Sequence, residues 1–236
     1  MYIRYFFFLL ALLLHSELAS AEDKVASEPV VYQALAAHYQ ETHRVAGKHK
    51  ESTDWYFNRQ NNQVETARGS YAEVWQRDER GELTLTRVFH QDRKLVQYTP
   101  GELRTEGRLQ EWAALNSIID PRQLASLKQN GTVSILGKTA SRYTGKFGEE
   151  QIEVLWLPKE SLVAKLVRTK SNTTTILELK ELRASPDARW PQANLDKSEG
   201  YAYIDGADLG DMEYDPFVQR LLEVDGGPDG HGHHAH

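Results

Sequence analysis

The chain contains no cysteine among its 236 residues. This absence excludes disulfide bonds, thiol catalysis, cysteine-ligated zinc and iron–sulfur clusters, and also lipidation at an N-terminal cysteine. Any stability therefore has to come from burial of apolar surface. Hydrophobic residues make up 40% of the chain, which is enough for a core, so wholesale disorder is not expected.

The chain also lacks a dense cluster of lysine and arginine, and its formal net charge is -6. Nucleic-acid binding needs a concentrated basic face, so no nucleic-acid partner is expected. Motifs for a hydrolase nucleophile, a metalloprotease or a P-loop are missing as well. A Ser–His–Asp triad would have to rely on His90, which lies in a turn of the predicted strands. We therefore expect a protein that is not an enzyme.

Residues 1–21 have the layout of a secretory signal peptide. One cation, Arg4, precedes an apolar run over residues 5–14, and small residues follow at Ala19 and Ala21. This pattern predicts cleavage before Glu22. The run is shorter than the roughly 20 apolar residues that a transmembrane helix needs, and no later segment is more apolar. An uncleaved anchor is the alternative. Export without disulfides favours a soluble protein of the bacterial periplasm.

The hydrophobic period changes along the chain. Residues 30–45 carry apolar side chains at helical spacing, which predicts an amphipathic helix. From 54 to 100 the period is two, with turn sequences at 78–81 and 90–93, and this predicts an antiparallel meander. Helical spacing returns at 108–119. Asp120 followed by Pro121 then predicts an N-cap and a second short helix.

The second half of the chain reads mainly as strands, which we predict at 132–136, 141–147, 151–158, 162–170 and 173–183, with a hairpin turn at Ser171-Asn172. Tyr201 to Ile204 fits an edge strand. Asp215 followed by Pro216 predicts a further helix through Leu222. The Gly- and His-rich sequence after Gly226 is too polar to fold by itself.

Aromatic residues recur on successive predicted strands. They would form ordinary core under helices in a flat sheet, or line an apolar ligand cavity in a strongly curved one. The cavity candidates are Trp55, Phe57, Trp75, Phe89, Tyr98 and Trp156, with Tyr143 and Phe147 on neighbouring strands.

Two polar segments are candidate binding sites. The tail carries His231, His233, His234 and His236, and neutral imidazoles in a flexible tract can bind Zn, Cu or Ni weakly. No cofactor is otherwise required. His38, His43 and His49 are spaced too irregularly for a shared metal site on one helix face. The acidic segment offers Asp205, Asp208, Asp211 and Glu213 as a partner surface, although helix capping by Asp215 is the simpler explanation of its charge.

The order of these elements resembles the periplasmic lipoprotein carrier superfamily, the LolA/LolB-like fold. The resemblance is carried by TDWYFNR, by EVWQRDERGELTLTRVFHQDRKLVQYTP and by the late hairpin VLWLPKESLVAKLVRTKSNTTTILELKEL, and it covers residues 30–184. It implies a mainly β (α+β) fold, a curved, unclosed antiparallel β-barrel covered by helices that holds acyl chains. The sequence from Trp190 to Leu222 and the tail depart from the pattern, and no binding residue is carried over.

These observations predict four segments: a signal peptide (1–21), a LolA-like half-barrel (22–184), a C-terminal extension with a short helix (185–225) and a flexible tail (226–236). The expected function is non-catalytic binding of a lipid, a lipoprotein acyl chain or another apolar ligand. Two alternatives remain open: metal handling by the histidine tail, and a protein-interaction module that uses residues 201–222.

Overall fold

The computed structural model describes residues 31–46 and 51–226, which build one twelve-stranded sheet and four α-helices. The predicted signal peptide and the histidine tail lie outside these residues. The strands are β1 (Leu35–Val45), β2 (Glu51–Gln60), β3 (Gln63–Arg68), β4 (Tyr71–Arg77), β5 (Leu83–Phe89), β6 (Lys94–Tyr98), β7 (Lys128–Ile135), β8 (Lys138–Phe147), β9 (Glu150–Leu157), β10 (Leu162–Lys170), β11 (Thr173–Arg183) and β12 (Ala202–Asp205). The helices are α1 (Pro100–Thr105), α2 (Trp112–Ser117), α3 (Pro121–Ser126) and α4 (Pro216–Gly226).

The sheet is open. Its strand order is β12-β6-β5-β4-β3-β2-β1-β11-β10-β9-β8-β7, so β12 and β7 are the two edges within the described residues. Neighbours are antiparallel except for β12, which runs parallel to β6. This confirms the predicted unclosed, mainly antiparallel sheet with helices on it, and the predicted hairpin between β10 and β11. None of the helices in the described residues has the length and apolarity to cross a membrane.

The strand register defines two faces. Residues that pair directly in an antiparallel ladder lie on the same face. One row of such pairs runs from Leu35 through Arg59, Val64 and Trp75 to Leu85. All four helices lie on this face, which we call the helix side. The opposite face carries the segment 184–201, which we call the strap.

The predicted helix at 30–45 is wrong, because residues Leu35–Val45 form strand β1. This strand lies at the centre of the sheet and pairs with both β2 and β11. Leu35, Ala36 and Ala37 are all buried, since the two faces of a central strand are both covered. A bulge against β11 between His38 and Tyr39 shifts the pattern further. Because neighbouring positions are buried and the bulge adds one residue, the apolar residues of β1 recur at the spacing expected of a helix.

Two predicted caps are confirmed and one helix was not predicted. The Asp120 carboxylate accepts a hydrogen bond of 2.7 Å from the Arg122 backbone N–H and begins α3. The Asp215 carboxylate accepts one of 2.7 Å from the Phe217 N–H and begins α4. Helix α1 has a complete capping box between Thr99 and Glu102, a signal present in the sequence that the strand pattern obscured.

The core is unequal on the two faces. The large hydrophobic cluster lies on the helix side and includes side chains from the strands, from Leu103 of α1 and from Phe217 of α4. On the strap side a small cluster joins Ala67, Ala72 and Val88 to Ala193 of the strap. The sequence after β11 thus covers both faces, with the strap on one and α4 on the other.

Candidate functional site

All six aromatic cavity candidates lie on the helix side, as the register of their strands shows. Three are buried in the core: Phe57, Trp75 and Tyr98. The other three are partly buried and pack against it: Trp55, Phe89 and Trp156. Of the two neighbouring aromatics, Tyr143 also packs against the core, whereas Phe147 is exposed. The six candidates therefore share one face of the sheet. On this face Trp55, Phe89 and Trp156 keep part of their surface accessible to solvent.

The helices lie in two groups on that face. Helix α1 lies on β5 and β6, the 3₁₀ helix Gly206–Met212 lies on β6 and β12, and Phe217 of α4 packs on Phe89 of β5. Helices α2 and α3 lie on β10 and β8. Strands β3, β2, β1 and β11 are the centre between these two groups. We call the helix-side residues Tyr39, Glu41, Trp55, Arg68 and Thr175 of these strands the central floor.

An aromatic group forms one end of the central floor. Tyr39 and Trp55 pair directly across β1 and β2, with ring centroids 5.2 Å apart, and Phe57 follows 6.0 Å from Trp55. The buried Tyr39 hydroxyl donates a hydrogen bond of 2.5 Å to the Val163 carbonyl, and burial raises its pKa well above the usual range. Tyr39 and Phe57 thus hold Trp55, which remains half-buried, in a fixed position.

Ion pairs form the other end. Glu41 is only 5% exposed, and its carboxylate lies 2.5 Å from the Arg68 guanidinium and 3.6 Å from the His43 ring. The Thr175 hydroxyl is 3.3 Å from the other ring nitrogen of His43. A carboxylate buried to this degree is stable only when it is paired. The aromatic end of the floor is therefore followed directly by a fixed pair of opposite charges.

A second buried charge lies on the helix side of β5. Arg87 is 3% exposed, and its Nε donates a hydrogen bond of 2.8 Å to the Tyr71 hydroxyl, which in turn hydrogen-bonds Glu73. Burial raises the pKa of Tyr71 well above its usual range. The Arg87 guanidinium also lies over the Tyr71 and Phe89 rings, 5.4 and 5.6 Å from their centroids. This network holds the Arg87 guanidinium against two aromatic rings.

Arg59 ties the helices to the sheet and was not recognised from the sequence. It is 1% exposed, and its guanidinium donates to four backbone carbonyls from distant segments. The acceptors are Gln33 (2.9 Å), Asn116 (2.5 Å), Ser161 (3.0 Å) and Glu160. Burial lowers the pKa of Arg59 to about 10, which leaves it charged at neutral pH. The sequence did contain a signal for this role, because Arg59 occupies a position of β2 at which the alternating pattern places a side chain in the core.

The acidic partner-surface candidates divide into two roles. Asp205 begins the 3₁₀ helix by accepting from the Ala207 N–H at 3.2 Å, and a hydrogen bond with Glu102, the largest of several causes, raises its pKa. Asp208, Asp211 and Glu213 are exposed. Two tyrosines not singled out in the sequence stand beside them, Tyr203 at 60% and Tyr214 at 83% exposed.

The histidines do not form a metal centre in the described part of the chain, where no group of three or more ligating side chains is found. His38 and His43 lie on opposite faces of β1, a strand rather than the predicted helix. His38 stacks on Tyr56, at 4.8 Å, on the strap side. His231, His233, His234 and His236 lie outside the described residues, as does His49, so metal binding by the tail stays a prediction.

No family model and no curated protein matches the sequence. Similar solved structures include PNGF-II (14% identity, TM-score 0.42, 78% of this chain and 33% of that one) and the MucA/MucB complex of Pseudomonas aeruginosa (13%, 0.34, 66% and 53%). A third is the LolA superfamily protein NE2245 from Nitrosomonas europaea (9%, 0.34, 68% and 88%). The chain spans a third of the length of PNGF-II. The superfamily that the strand pattern resembles is thus among the matches, and these similarities concern the fold alone.

Proposed function

We propose that this protein is exported to the periplasm and binds a lipid, a lipoprotein acyl chain or another apolar ligand on the central floor, without catalysis. The observation that carries the proposal is the position of Trp55. This side chain is half-buried on the floor between the two groups of helices, with Tyr39 and Phe57 packed against it. A large apolar side chain that is held in place and partly accessible suits contact with an apolar chain.

The energetics favour this use of the floor. Trp55 is already partly buried, so a ligand covers only the accessible remainder of its surface, and apolar burial contributes about 25 cal/mol per Å² removed from water. The Glu41–Arg68 pair at the other end gives the floor an amphipathic character. A ligand that lies along the floor would place its apolar part against Trp55 and a polar part near this pair.

The proposal is tested with two matched tryptophan variants. Trp55→Ala removes the floor surface, whereas Trp190→Ala removes a half-buried tryptophan on the strap, on the opposite face. Binding of the fluorescent probe N-phenyl-1-naphthylamine is expected to weaken at least tenfold in Trp55→Ala and to stay unchanged in Trp190→Ala. Native mass spectrometry of the chain beginning at Glu22, purified from periplasm, should show a retained lipid-sized mass. Equal loss in both variants would contradict the floor as the site.

A protein partner at residues 201–222 is the second candidate. The observation that favours it is the pair of exposed rings, Tyr203 and Tyr214, beside exposed carboxylates. Tyrosine at the centre of a polar surface is typical of protein interfaces. Pull-down with the wild-type chain and with Tyr203→Ser/Tyr214→Ser decides it: a partner captured by both chains does not use this surface.

A further inference from the structure

A cleft of about 300 Å³ lies at the sheet end where β1 begins and β2 and β11 end. One wall consists of the side-chain amides Asn58, Gln60, Asn61 and Asn62, from the end of β2 and the turn that follows it. The other wall is the beginning of the strap, residues 184–186, together with Ala34. The central floor contributes no lining residue, so this is a separate site.

The four residues face solvent: Gln60, Asn61 and Asn62 are exposed and Asn58 is partly buried, so their amides are free to exchange water for a ligand. Within residues 31–46 and 51–226, none of their side chains has a hydrogen-bond partner in the protein. Neighbouring amides differ: the Gln76 side chain donates to Gln63 at 3.4 Å, and the Asn116 side chain donates to the Trp112 carbonyl at 2.8 Å. A side-chain amide carries two N–H donors and an oxygen with two acceptor sites. The wall therefore presents up to eight donors and four acceptor oxygens to whatever enters the cleft.

The cleft carries no charge that a ligand could use. Arg59 is the one charged side chain among its lining residues, and Nε, Nη1 and Nη2 all donate to backbone carbonyls. Anionic ligands are bound by arginine or lysine groups that are free to form charge-assisted hydrogen bonds. An apolar ligand would leave the amides without partners. Both classes are disfavoured, and a neutral ligand with many hydrogen-bonding groups remains.

We propose that this cleft binds a neutral carbohydrate. Each sugar hydroxyl donates and accepts, as does each amide, and adjacent hydroxyls match the paired donor and acceptor of one amide group. Pro186 and Ala34 supply small apolar surfaces for the C–H side of a sugar ring. The volume is at the lower end of ligand pockets and fits a short stretch of glycan rather than a large ligand.

The test uses nuclear magnetic resonance of the chain from Glu22 to His236, with neutral glycans that an oligosaccharide array selects, and with chitotriose and maltotriose as first probes. The side-chain NH₂ signals of Asn58, Gln60, Asn61 and Asn62 report on the site directly and are expected to shift. Asn61→Ala/Asn62→Ala should weaken binding at least tenfold. The matched control is Gln63→Ala/Gln76→Ala, which removes two amides of the same region that lie outside the cleft.

The outcomes are distinct. Glycan-induced shifts that are lost in Asn61→Ala/Asn62→Ala and kept in Gln63→Ala/Gln76→Ala support the site. No shift with any array glycan, equal weakening in both double variants, or shifts produced by a neutral peptide instead of a sugar would overturn it. Thermal unfolding of each variant shows whether the fold is intact. Trp55→Ala should leave glycan binding unchanged, so this test is independent of the proposed apolar ligand.

Discussion

The two faces of the sheet are held together by different means. The helix side buries large side chains such as Phe57 and Trp75 in one continuous core. The strap side presents small residues such as Ala67 and Ala72, and the strap is attached there by a few polar contacts. Glu65 accepts from the Ala193 N–H at 2.6 Å, and His90 contacts the Gln192 carbonyl at 2.9 Å. Small side chains let the strap approach closely, while large ones fix the helices.

The largest expected loss of stability comes from a substitution on the helix side. Arg59→Met would leave four carbonyls without the donors that now join the β2 end to α2 and to the turn between β9 and β10. We expect a loss of about 3–5 kcal/mol in the free energy of unfolding, measured in urea. Arg122→Met is the control, because that arginine is 75% exposed and should cost less than about 0.5 kcal/mol. Equal costs would show that the carbonyl contacts do not stabilise the fold.

The next effect concerns the contact of the 3₁₀ helix with the sheet. A Cβ on Gly206 would lie 2.5 Å from Cδ1 of the Tyr98 ring and 3.2 Å from the Gln97 carbonyl oxygen. Gly206→Ala is expected to destabilise by about 1–3 kcal/mol through overpacking. In Gly210→Ala the new Cβ meets nothing within 4 Å. Thermal unfolding should separate the two variants, and an unchanged Gly206→Ala would mean that this segment moves away at little cost.

An effect of similar size, confined to one face, is expected at the strap. Glu65→Ala removes the acceptor for the Ala193 N–H, which should cost about 1–3 kcal/mol. Hydrogen exchange of residues 186–201 measures the loss, and exchange on the helix side should change little. If both faces open together, the strap is not attached independently.

The same carboxylate makes the strap sensitive to pH. Burial raises the pKa of Glu65 above 4.5, against the opposing effects of the Ala193 N–H and of His90. Because the protonated form is favoured in the folded state, this contribution is fully present below pH 4.5 and is lost as pH rises through the folded pKa. Protection of the strap should therefore decrease over that interval. Glu65→Gln should remove the dependence, and a dependence that persists would show that Glu65 does not control it.

The smallest effect on the stability of the sheet is expected when the tail is removed. Deletion of residues 229–236 should abolish binding of Zn, Cu or Ni and leave probe binding at the central floor unchanged. Isothermal titration with each metal, before and after deletion, measures this. Metal binding that survives deletion would point to ligands elsewhere in the chain.

The sequence predicted best what depends on neighbours in the chain. Strands β4 and β5, the turn at Ser171-Asn172 and the caps Asp120 and Asp215 all follow from local patterns. Strand β1 could not be recognised, because burial on both faces removes the alternation. An acceptor for Arg59 and the donor to Glu65 lie 102 and 128 residues away, and no local pattern encodes such pairs.

The parallel pairing of β12 has a mechanical consequence. The strap leaves the sheet after β11 and returns at β12, seven strand positions away. At about 4.8 Å per strand this is a span of ~34 Å, and the 18 residues from 184 to 201 can extend to no more than about 60 Å. The strap is thus a tether across the back of the sheet. Because the strap is longer than the span of even a flat sheet, the contacts of Glu65 and His90, and not the chain length, hold it against this face.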